Sequence, residues 1–468
     1  MRIKNTLFFL ALACFLYTVS ILYSGCAQVG MPTGGVRDSL PPVLLTAIPK
    51  NGSLNVKENR IVLTFNEYVQ LEDVQQSLIV SPVPKINPNI DFKLKTVTIR
   101  MKDTLLPNTT YRIELGNSIR DLNENNPIKD YSFVFSTGPY IDSLTLSGNV
   151  ELAEIGQKAD STMSVFLYSD LSDSAVFKKK PAYITRVNKG GNFNFKNLPP
   201  GNYHIFALKD DSGQKMYASK TQLFAFADSS VEVSGKELSI QLFAYQEEKE
   251  IPKPPAAPKL TAELKFTSSL TSGIQDLLTP LVLEFNKPLK NFNGKQIVLS
   301  DTLFKPLPIE VKISDTLNKE VTIKSAWLED TQYKLVIAKE FATDTAGVAL
   351  TKNDTLSFKT KRESEYGSIK INLKNLEKFK HPVLQFVKNK VVEYSYPLSS
   401  PQFFQKLFIP GDYEIRILED SNQNGVWDPG FYDPANSHLQ KQPEKVVSIP
   451  QILNIKAGWD NERDVILE

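Results

Sequence analysis

The sequence is poor in the residues on which most enzyme sites depend. It has two cysteines and three histidines in 468 residues. The histidines are His204, His381 and His438, and none belongs to a nucleophile elbow, a zinc-binding pair or a phosphate-binding loop. The acidic residues are scattered over turns and form no pair suited to general acid and base roles. The sequence therefore predicts a protein that is not an enzyme.

An excess of charge of one sign is also missing. The chain carries 54 basic and 52 acidic residues, a net charge of +2, spread along its whole length. No basic patch favours a nucleic-acid partner, and beyond the first residues no cationic helix favours binding to a membrane surface. Runs with helical periodicity are scarce, while 29 prolines and an aromatic content of 10% favour β structure with several apolar cores.

The N-terminal segment is apolar and ends in a cysteine. Arg2 and Lys4 supply positive charge, and residues 6–22 follow without a charged side chain. A serine and a glycine then lead into Cys26. This pattern resembles a bacterial lipobox, which implies a lipid on Cys26. The alternative is an uncleaved anchor, but a membrane span needs about 20 apolar residues and this run is slightly short.

The lipobox resemblance implies removal of residues 1–25 and acylation, for example with palmitate, of Cys26. Cys14 would leave with the signal peptide, so the mature chain could form no intrachain disulfide. Ala27 is not the aspartate that commonly signals retention in the inner membrane, so we expect an outer-membrane lipoprotein. No acidic cluster of the kind that marks surface export follows Cys26, which favours the periplasmic face.

Two kinds of module recur along the chain, each built from short strand-like runs between turn clusters. The first kind has four matching segments in the same order: 61–66, 96–99, 108–113 and 132–137 recur as 281–286, 320–323, 330–335 and 356–360. The second kind has a Pro-Gly turn that leads into a strand with a tyrosine, at 199–205 and again at 410–415. The modules therefore alternate, and we predict an all-β fold of tandem small β-sandwiches.

Specific segments of these modules resemble known families. Residues 49–56 and 106–111, with the terminal Phe-Ser-Thr-Gly, resemble the bacterial Ig-like domain of surface-layer proteins. Residues 191–195 and 198–203 resemble the prealbumin-like fold of carboxypeptidase regulatory and collagen-adhesin B-type domains. The head of the mature chain, residues 26–42, resembles a lipoprotein family common in Bacteroidota. In those families such modules serve as spacers, stalks and interaction surfaces.

The repeats and resemblances together predict the domain organisation. The predicted parts are a signal peptide (1–25), a lipidated cysteine with a flexible leash (26–42), an Ig-like domain (43–139), a prealbumin-like domain (140–246), a Pro-rich linker (247–259), a second Ig-like domain (260–362) and a second prealbumin-like domain (363–468). The linker is expected to be a semi-rigid spacer because proline-rich segments favour extended conformations.

One loop has the composition of a calcium site. Asp420, Asn422, Asn424 and Asp428 occupy positions 1, 3, 5 and 9 of a loop with glycine at position 6, as in the first part of an EF-hand loop. Position 12, where a bidentate glutamate belongs, holds Phe431. Calcium is therefore the one candidate cofactor. The alternative is a solvated turn, because Asn, Asp and Gly favour turns without any ion.

A second pattern is the triplet of Asp, Ser or Thr, and an apolar residue or Thr. It occurs nine times, whereas ordinary composition would give about one or two. The triplet resembles the O-glycosylation acceptor of exported Bacteroidota proteins. The candidate acceptors are Ser39, Thr104, Ser143, Thr302, Thr316 and Thr355. The alternative is mechanical, with the aspartate capping a turn before the next strand.

These features predict an outer-membrane-anchored lipoprotein that acts as a non-enzymatic structural or protein-interaction scaffold. Its expected partners are the membrane, through the lipid, and other outer-membrane or envelope proteins. The alternative is a carbohydrate-binding or adhesive lipoprotein, which coplanar exposed aromatic side chains on one module would favour. We expect Trp327, Trp427 and Trp459 to lie in cores instead, because tryptophan is highly buried on average.

Overall fold

The computed structural model describes Leu12, Ala13, Phe15 and Tyr17 and then residues 38–236, 238–249, 263–436 and 439–467. Cys26 and most of the predicted linker lie outside the described residues. Among the described residues, no helix is long and apolar enough to cross a membrane. The chain divides into two compact units, the first reaching residue 141 and the second comprising Ser81–Val83 and residues 142–468.

The first unit contains one sandwich, module 1. Its elements are β1 (Leu44–Ile48), β2 (Arg60–Phe65), β3 (Val69–Leu71), α1 (Val74–Ser77), β4 (Ile79–Ser81), β5 (Asn89–Lys93), β6 (Thr96–Arg100), β7 (Thr110–Gly116), β8 (Ile119–Asp121) and β9 (Tyr131–Ser136). The sheets β1-β2-β6-β5 and β4-β7-β9 enclose the core, and β3 pairs with β8. Every second residue of β2 is buried, as expected for a strand with one face on a core. Leu63, Phe65 and Phe133 are among the fully buried side chains.

The second unit begins with module 2. Its elements are β10 (Leu144–Leu152), β11 (Gln157–Lys158), β12 (Met163–Tyr168), α2 (Ala175–Lys178), β13 (Tyr183–Arg186), β14 (Asn192–Leu198), β15 (Gly201–Lys209), β16 (Phe224–Phe226), β17 (Val231–Val233) and β18 (Ser239–Ala244). One sheet has the central strand β10 between β14 and the parallel β18. The other has the order β13-β12-β15-β16, with β17 also paired to β15.

Module 3 follows in the same unit. Its strands are β19 (Phe266–Ser268), β20 (Ile274–Gln275), β21 (Leu281–Phe285), β22 (Leu289–Phe292), β23 (Ile297–Ser300), β24 (Pro306–Leu307), β25 (Glu310–Ile313), β26 (Glu320–Lys324), β27 (Gln332–Ile337), β28 (Ala342–Asp344) and β29 (Asp354–Thr360). A short 3-10 helix (Gly294–Gln296) precedes β23. The sheet β19-β21-β26-β25 and the strand pair β22-β28 repeat β1-β2-β6-β5 and β3-β8 of module 1.

Module 4 ends the chain. After the 3-10 helix Glu363–Glu365 come β30 (Gly367–Lys374), a 3-10 helix (Leu376–Lys378), β31 (Pro382–Lys388), β32 (Val391–Pro397), β33 (Gln402–Phe408), β34 (Gly411–Glu419), β35 (Val446–Ile455) and β36 (Asp460–Ile466). Its sheets β33-β30-β36 and β32-β31-β34-β35 repeat those of module 2, including the parallel pairing of the last strand. The predicted fold class, all-β with tandem small sandwiches, is confirmed.

The Pro-Gly-x-Tyr segments have the same role in modules 2 and 4. The hydroxyl of Tyr203 donates to the carbonyl of Pro199 at 3.2 Å, and the hydroxyl of Tyr413 donates to that of Ile409 at 3.1 Å. Each tyrosine therefore closes the turn that precedes its own strand, while its ring lies in the core of the module. The buried hydroxyl has a partner, which a buried polar group requires.

Candidate functional site

The six candidate glycosylation residues all have exposed side chains. The aspartates of several triplets accept backbone hydrogen bonds: Asp38 from Leu40 at 2.9 Å, and Asp301 from Leu303 at 2.8 Å. These are turns of the kind that the mechanical interpretation predicts. Exposure leaves the hydroxyls accessible as well, so the geometry fits both interpretations. Cys26, the candidate lipidation residue, lies outside the described residues.

The loop with calcium-like composition begins where β34 ends. Asp420 is 2% exposed, although it is an aspartate. Its Oδ1 accepts from the backbone of Asn424 at 3.2 Å and its Oδ2 from that of Gly425 at 2.7 Å. Gly425 has a φ of +81°, which glycine adopts at little cost. Asp420 thus holds the chain in a tight turn around its own carboxylate.

The other predicted ligands meet at Asp428. The side-chain amides of Asn422 and Asn424 donate to its Oδ2 at 2.5 and 2.9 Å. Rotation of each side-chain amide by 180° would direct its oxygen, instead of its nitrogen, towards Asp428. Carboxylate and amide oxygens are the ligands that calcium prefers. The structure therefore brings all four predicted residues into one loop.

Glu444 is a member of this site that the sequence did not predict. It is 3% exposed. Its Oε1 accepts from the backbone of Ser421 at 2.7 Å, and its Oε2 accepts from that of Asp428 at 3.1 Å. A carboxylate from beyond the loop thus closes it where an EF-hand would use position 12. Within the described part of the chain, no group of three or more His, Cys, Asp or Glu is arranged for a metal, so any ion here would depend on the amides.

The chain between the loop and β35 packs on module 2. We call residues 429–436 and 439–444 the brace. Its Tyr432 is 6% exposed. The centroid of that ring lies 4.8 Å from Phe226, 5.4 Å from Phe224 and 5.7 Å from Phe206. The hydroxyl of Tyr432 donates to the carbonyl of Asp173 at 3.1 Å. Burial raises the pKa of Tyr432, so this donor keeps its proton at physiological pH.

Polar and backbone contacts hold the brace at both ends. Gln442 donates to the carbonyl of Phe226 at 3.1 Å and to Oδ1 of Asp228 at 2.7 Å. A Cβ at Gly430 would lie 2.6 Å from the ring of Tyr245, so only glycine allows this close approach. Module 4 is therefore attached to module 2 by direct packing.

The brace exists because one connection is longer in module 4 than in module 2. The strand of Tyr413 is joined to the next by residues 420–445, whereas the equivalent strands of module 2 are joined by residues 210–223. The extra residues supply the glycine, the tyrosine and the glutamine that contact module 2. A comparison of the lengths of these connections in the sequences of modules 2 and 4 would have located the insertion. It would not have predicted which residues the insertion contacts.

The tryptophan predictions have mixed outcomes. Trp327 and Trp427 are partly buried against apolar clusters. The prediction for Trp459 is wrong, because this side chain is 63% exposed. It lies in the turn before β36, where the ammonium of Lys456 is 5.1 Å from its ring centroid. Within the four modules, the exposed aromatic rings are Tyr68, Phe92, Tyr140, Phe304, Phe404 and Trp459. None of these six forms a stacked pair with another ring, so they provide no coplanar platform for the adhesive alternative.

Comparison with known proteins gives a family for part of the chain. A family model described as a bacterial Ig-like domain matches residues 38–137, which include all of module 1. No curated protein matches the chain.

Three of the similar solved structures come from bacterial surface proteins. The major pilin subunit BcpA of Bacillus cereus is 10% identical at a TM-score of 0.17, with coverage of 69% of this chain and 99% of that one. The N-terminal part of the bacterial S-layer protein SbsC is 13% identical at 0.16, covering 42% and 45%. The BSP domain of a biofilm-associated protein is 8% identical at 0.15, covering 84% and 97%. At TM-scores this low the likenesses carry no argument about function.

Replacing Tyr432 tests the brace. Tyr432→Ala is expected to lower the free energy of unfolding of the second unit by about 3 kcal/mol or more, because it empties an aromatic site. Tyr432→Phe should cost only about 1 kcal/mol, since it removes one hydrogen bond. Hydrogen exchange should show faster exchange in residues 429–444 of the alanine variant. Unchanged exchange there would contradict the packing role of Tyr432.

Proposed function

We propose that the protein is a non-enzymatic scaffold, anchored by a lipid on Cys26 to the periplasmic face of the outer membrane. The observation that carries this proposal is the brace. It joins modules 2 and 4 by contacts between residues 259 positions apart in sequence, such as Tyr432 and Asp173. A scaffold has to fix surfaces relative to each other, and packing of this kind does so.

The partners that we propose are other envelope proteins, above all components of an outer-membrane complex. Edge strands offer unpaired backbone groups to a second chain. The edge strand β32 of module 4 begins with Val391 and Val392, whose side chains are exposed. The bacterial Ig-like match of module 1 is consistent with a structural role, although a fold alone does not establish a function.

The lipid anchor is testable at Cys26. Cys26→Ser should abolish labelling with an alkyne analogue of palmitate and move the protein out of the outer-membrane fraction of the native host. Cys14→Ser is the matched control, because Cys14 would leave with the signal peptide, and it should change neither readout. A Cys26→Ser protein that stays in the membrane would favour the uncleaved anchor.

We propose calcium as a stabilising ligand of the loop from Asp420 to Asp428. At a calcium concentration 100 times Kd, binding should stabilise the protein by about 2.7 kcal/mol. Calorimetric melting with calcium and with chelator should therefore differ for the wild type but not for Asp428→Asn. Asp412→Asn is the control, because Asp412 lies near the start of β34, at the other end of the strand that leads into the loop. This variant should keep the calcium-dependent difference in melting temperature. If the chelator does not change the melting temperature of the wild type, the calcium proposal is wrong.

We also propose O-linked glycans on the exposed triplets, with Thr355 as the test position. Thr355→Val should lower the intact mass of protein purified from the native host by one glycan. Asp354→Asn keeps the hydroxyl but breaks the triplet, so it should have the same effect. Thr351→Ala is the control, since Thr351 is exposed but has no preceding aspartate. If the intact mass of the wild type equals that of the unmodified chain, the triplets carry no glycan and only the turn-capping interpretation remains.

A further inference from the structure

A cleft of about 670 Å³ lies against the outer face of the β32-β31-β34-β35 sheet of module 4. Module 2 contributes the other side of the cleft with Glu154, Ile155, Gln246, Glu247 and Lys249. Trp427 borders the cleft from the calcium-like loop. The volume is in the range of small-molecule sites, which is about 300–1,000 Å³. The calcium proposal does not use this space, and the strand edge proposed for partner proteins borders it only at β32, with Val391 and Val392.

A row of four polar residues crosses the sheet, and Gln385, Ser395 and Arg416 of this row line the cleft. Gln385 on β31 lies directly opposite Ser395 on β32 and Arg416 on β34, and Arg416 in turn lies opposite Ser448 on β35. Neighbouring strands are about 4.8 Å apart, so Ser395 and Ser448 mark the two ends of a row about 14 Å long.

Two members of this row, Gln385 and Arg416, are buried, and one of them has a buried donor without a partner. Gln385 is 3% exposed, and its side chain lines the cleft. Arg416 is 4% exposed. One of its terminal nitrogens lies 3.3 Å from a carboxylate oxygen of Glu414, while its Nε is buried without a partner. The Nε–H group of this guanidinium is therefore a buried donor that no protein atom satisfies.

The equivalent positions of module 2 are apolar. Arg416 follows Tyr413 by three residues, as Phe206 follows Tyr203, and the partner of Phe206 across the sheet is Phe166. Both phenylalanines are buried. The equivalent positions are therefore an aromatic pair in one copy and an arginine with a glutamine in the other.

A purely structural role does not account for that exchange. Burying a polar group without a partner costs about 1–3 kcal/mol, and replacing buried charges by apolar groups of similar volume is often neutral or stabilising. Phenylalanine at these positions demonstrably packs in module 2. The buried Nε of Arg416, which has no partner, and the polar Gln385 beside it in the cleft lining therefore point to a polar ligand.

The charges around the cleft define the class of ligand. Three carboxylates, Glu154, Glu247 and Glu393, are balanced by three cations, Lys249, Lys390 and Arg416. A ligand with strong charge of either sign would meet like charges here. Hydroxyl groups donate and accept together, so they satisfy Arg416, the Gln385 amide and the carboxylates at once.

We infer that this cleft is a saccharide-binding site for neutral sugar units, in which Arg416 and Gln385 bind ring or hydroxyl oxygens and Trp427 contacts an apolar sugar face. The indole Nε1 of Trp427 already donates to the carbonyl of Glu444 at 2.8 Å, which fixes the ring beside the cleft. This function goes beyond the scaffold and does not depend on the lipid, whereas the brace contributes Pro429 to the cleft lining.

The test is calorimetric titration of the full chain in nanodiscs with a panel of neutral tetrasaccharides (glucose, mannose, galactose and N-acetylglucosamine types). At least one should bind the wild type with Kd of 1 mM or tighter. Gln385→Ala and Arg416→Ala should weaken that binding at least tenfold. Gln402→Ala and Arg100→Ala, exposed residues outside the cleft, should leave the affinity within twofold.

Arg416→Phe keeps the test informative if the alanine variants unfold, because it introduces the residue of the sister module. It should melt at the wild-type temperature or above and should not bind the sugar. No binding by any neutral tetrasaccharide at 10 mM would overturn the site. So would sugar binding that survives both Arg416→Phe and Gln385→Ala. Binding of extended peptides that ignores these substitutions, without sugar binding, would assign the cleft to strand pairing on β32 instead.

Discussion

The packing of Tyr432 among the phenylalanines of module 2 is the contact on which the arrangement of the second unit depends. Ordering the long connection between β34 and β35, residues 420–445, costs conformational entropy. That cost rises only slowly with the number of residues in the connection. A buried aromatic ring offsets it, because apolar burial contributes about 25 cal/mol per Å² and each aromatic pair adds about 0.5–1.5 kcal/mol. The hydroxyl of Tyr432 also has a partner in the carbonyl of Asp173, so the side chain is buried without an unpaired polar atom.

The sequence predicted the features that depend on neighbouring residues. Period-two alternation and turn residues act within one element, and they located the all-β class and the alternating kinds of module. The turns before Tyr203 and Tyr413 were predictable because the tyrosine bonds to a carbonyl four residues back. The four oxygen-bearing residues of the loop, from Asp420 to Asp428, were also found by spacing alone, since the loop itself brings them together.

Contacts between distant residues were beyond such signals. Glu444 is 16 residues from Asp428, and nothing in that interval indicates that the chain returns to the loop. Tyr432 was unmarked for the same reason, because its partners belong to another module. The prediction for Trp459 was wrong for a different reason. It applied the average burial of tryptophan to a residue that lies in an exposed turn. Its ring lies beside the ammonium of Lys456 on the surface instead of in a core.

The loop and the brace are parts of one connection between β34 and β35, and both border the cleft. This proximity has a physical consequence. Gly425 accepts a hydrogen bond from the hydroxyl of Ser395 at 2.9 Å, which ties the loop to one end of the polar row. Glu444 caps the loop with its carboxylate and holds Trp427 with its carbonyl. Any change in the order of the loop is therefore transmitted by direct contacts to the wall of the cleft, and the same backbone continues into the brace. An ion bound at Asp420 and Asp428 would stiffen all three features together, because rigidity gained in one part of a bonded network lowers the entropy cost of ordering the next.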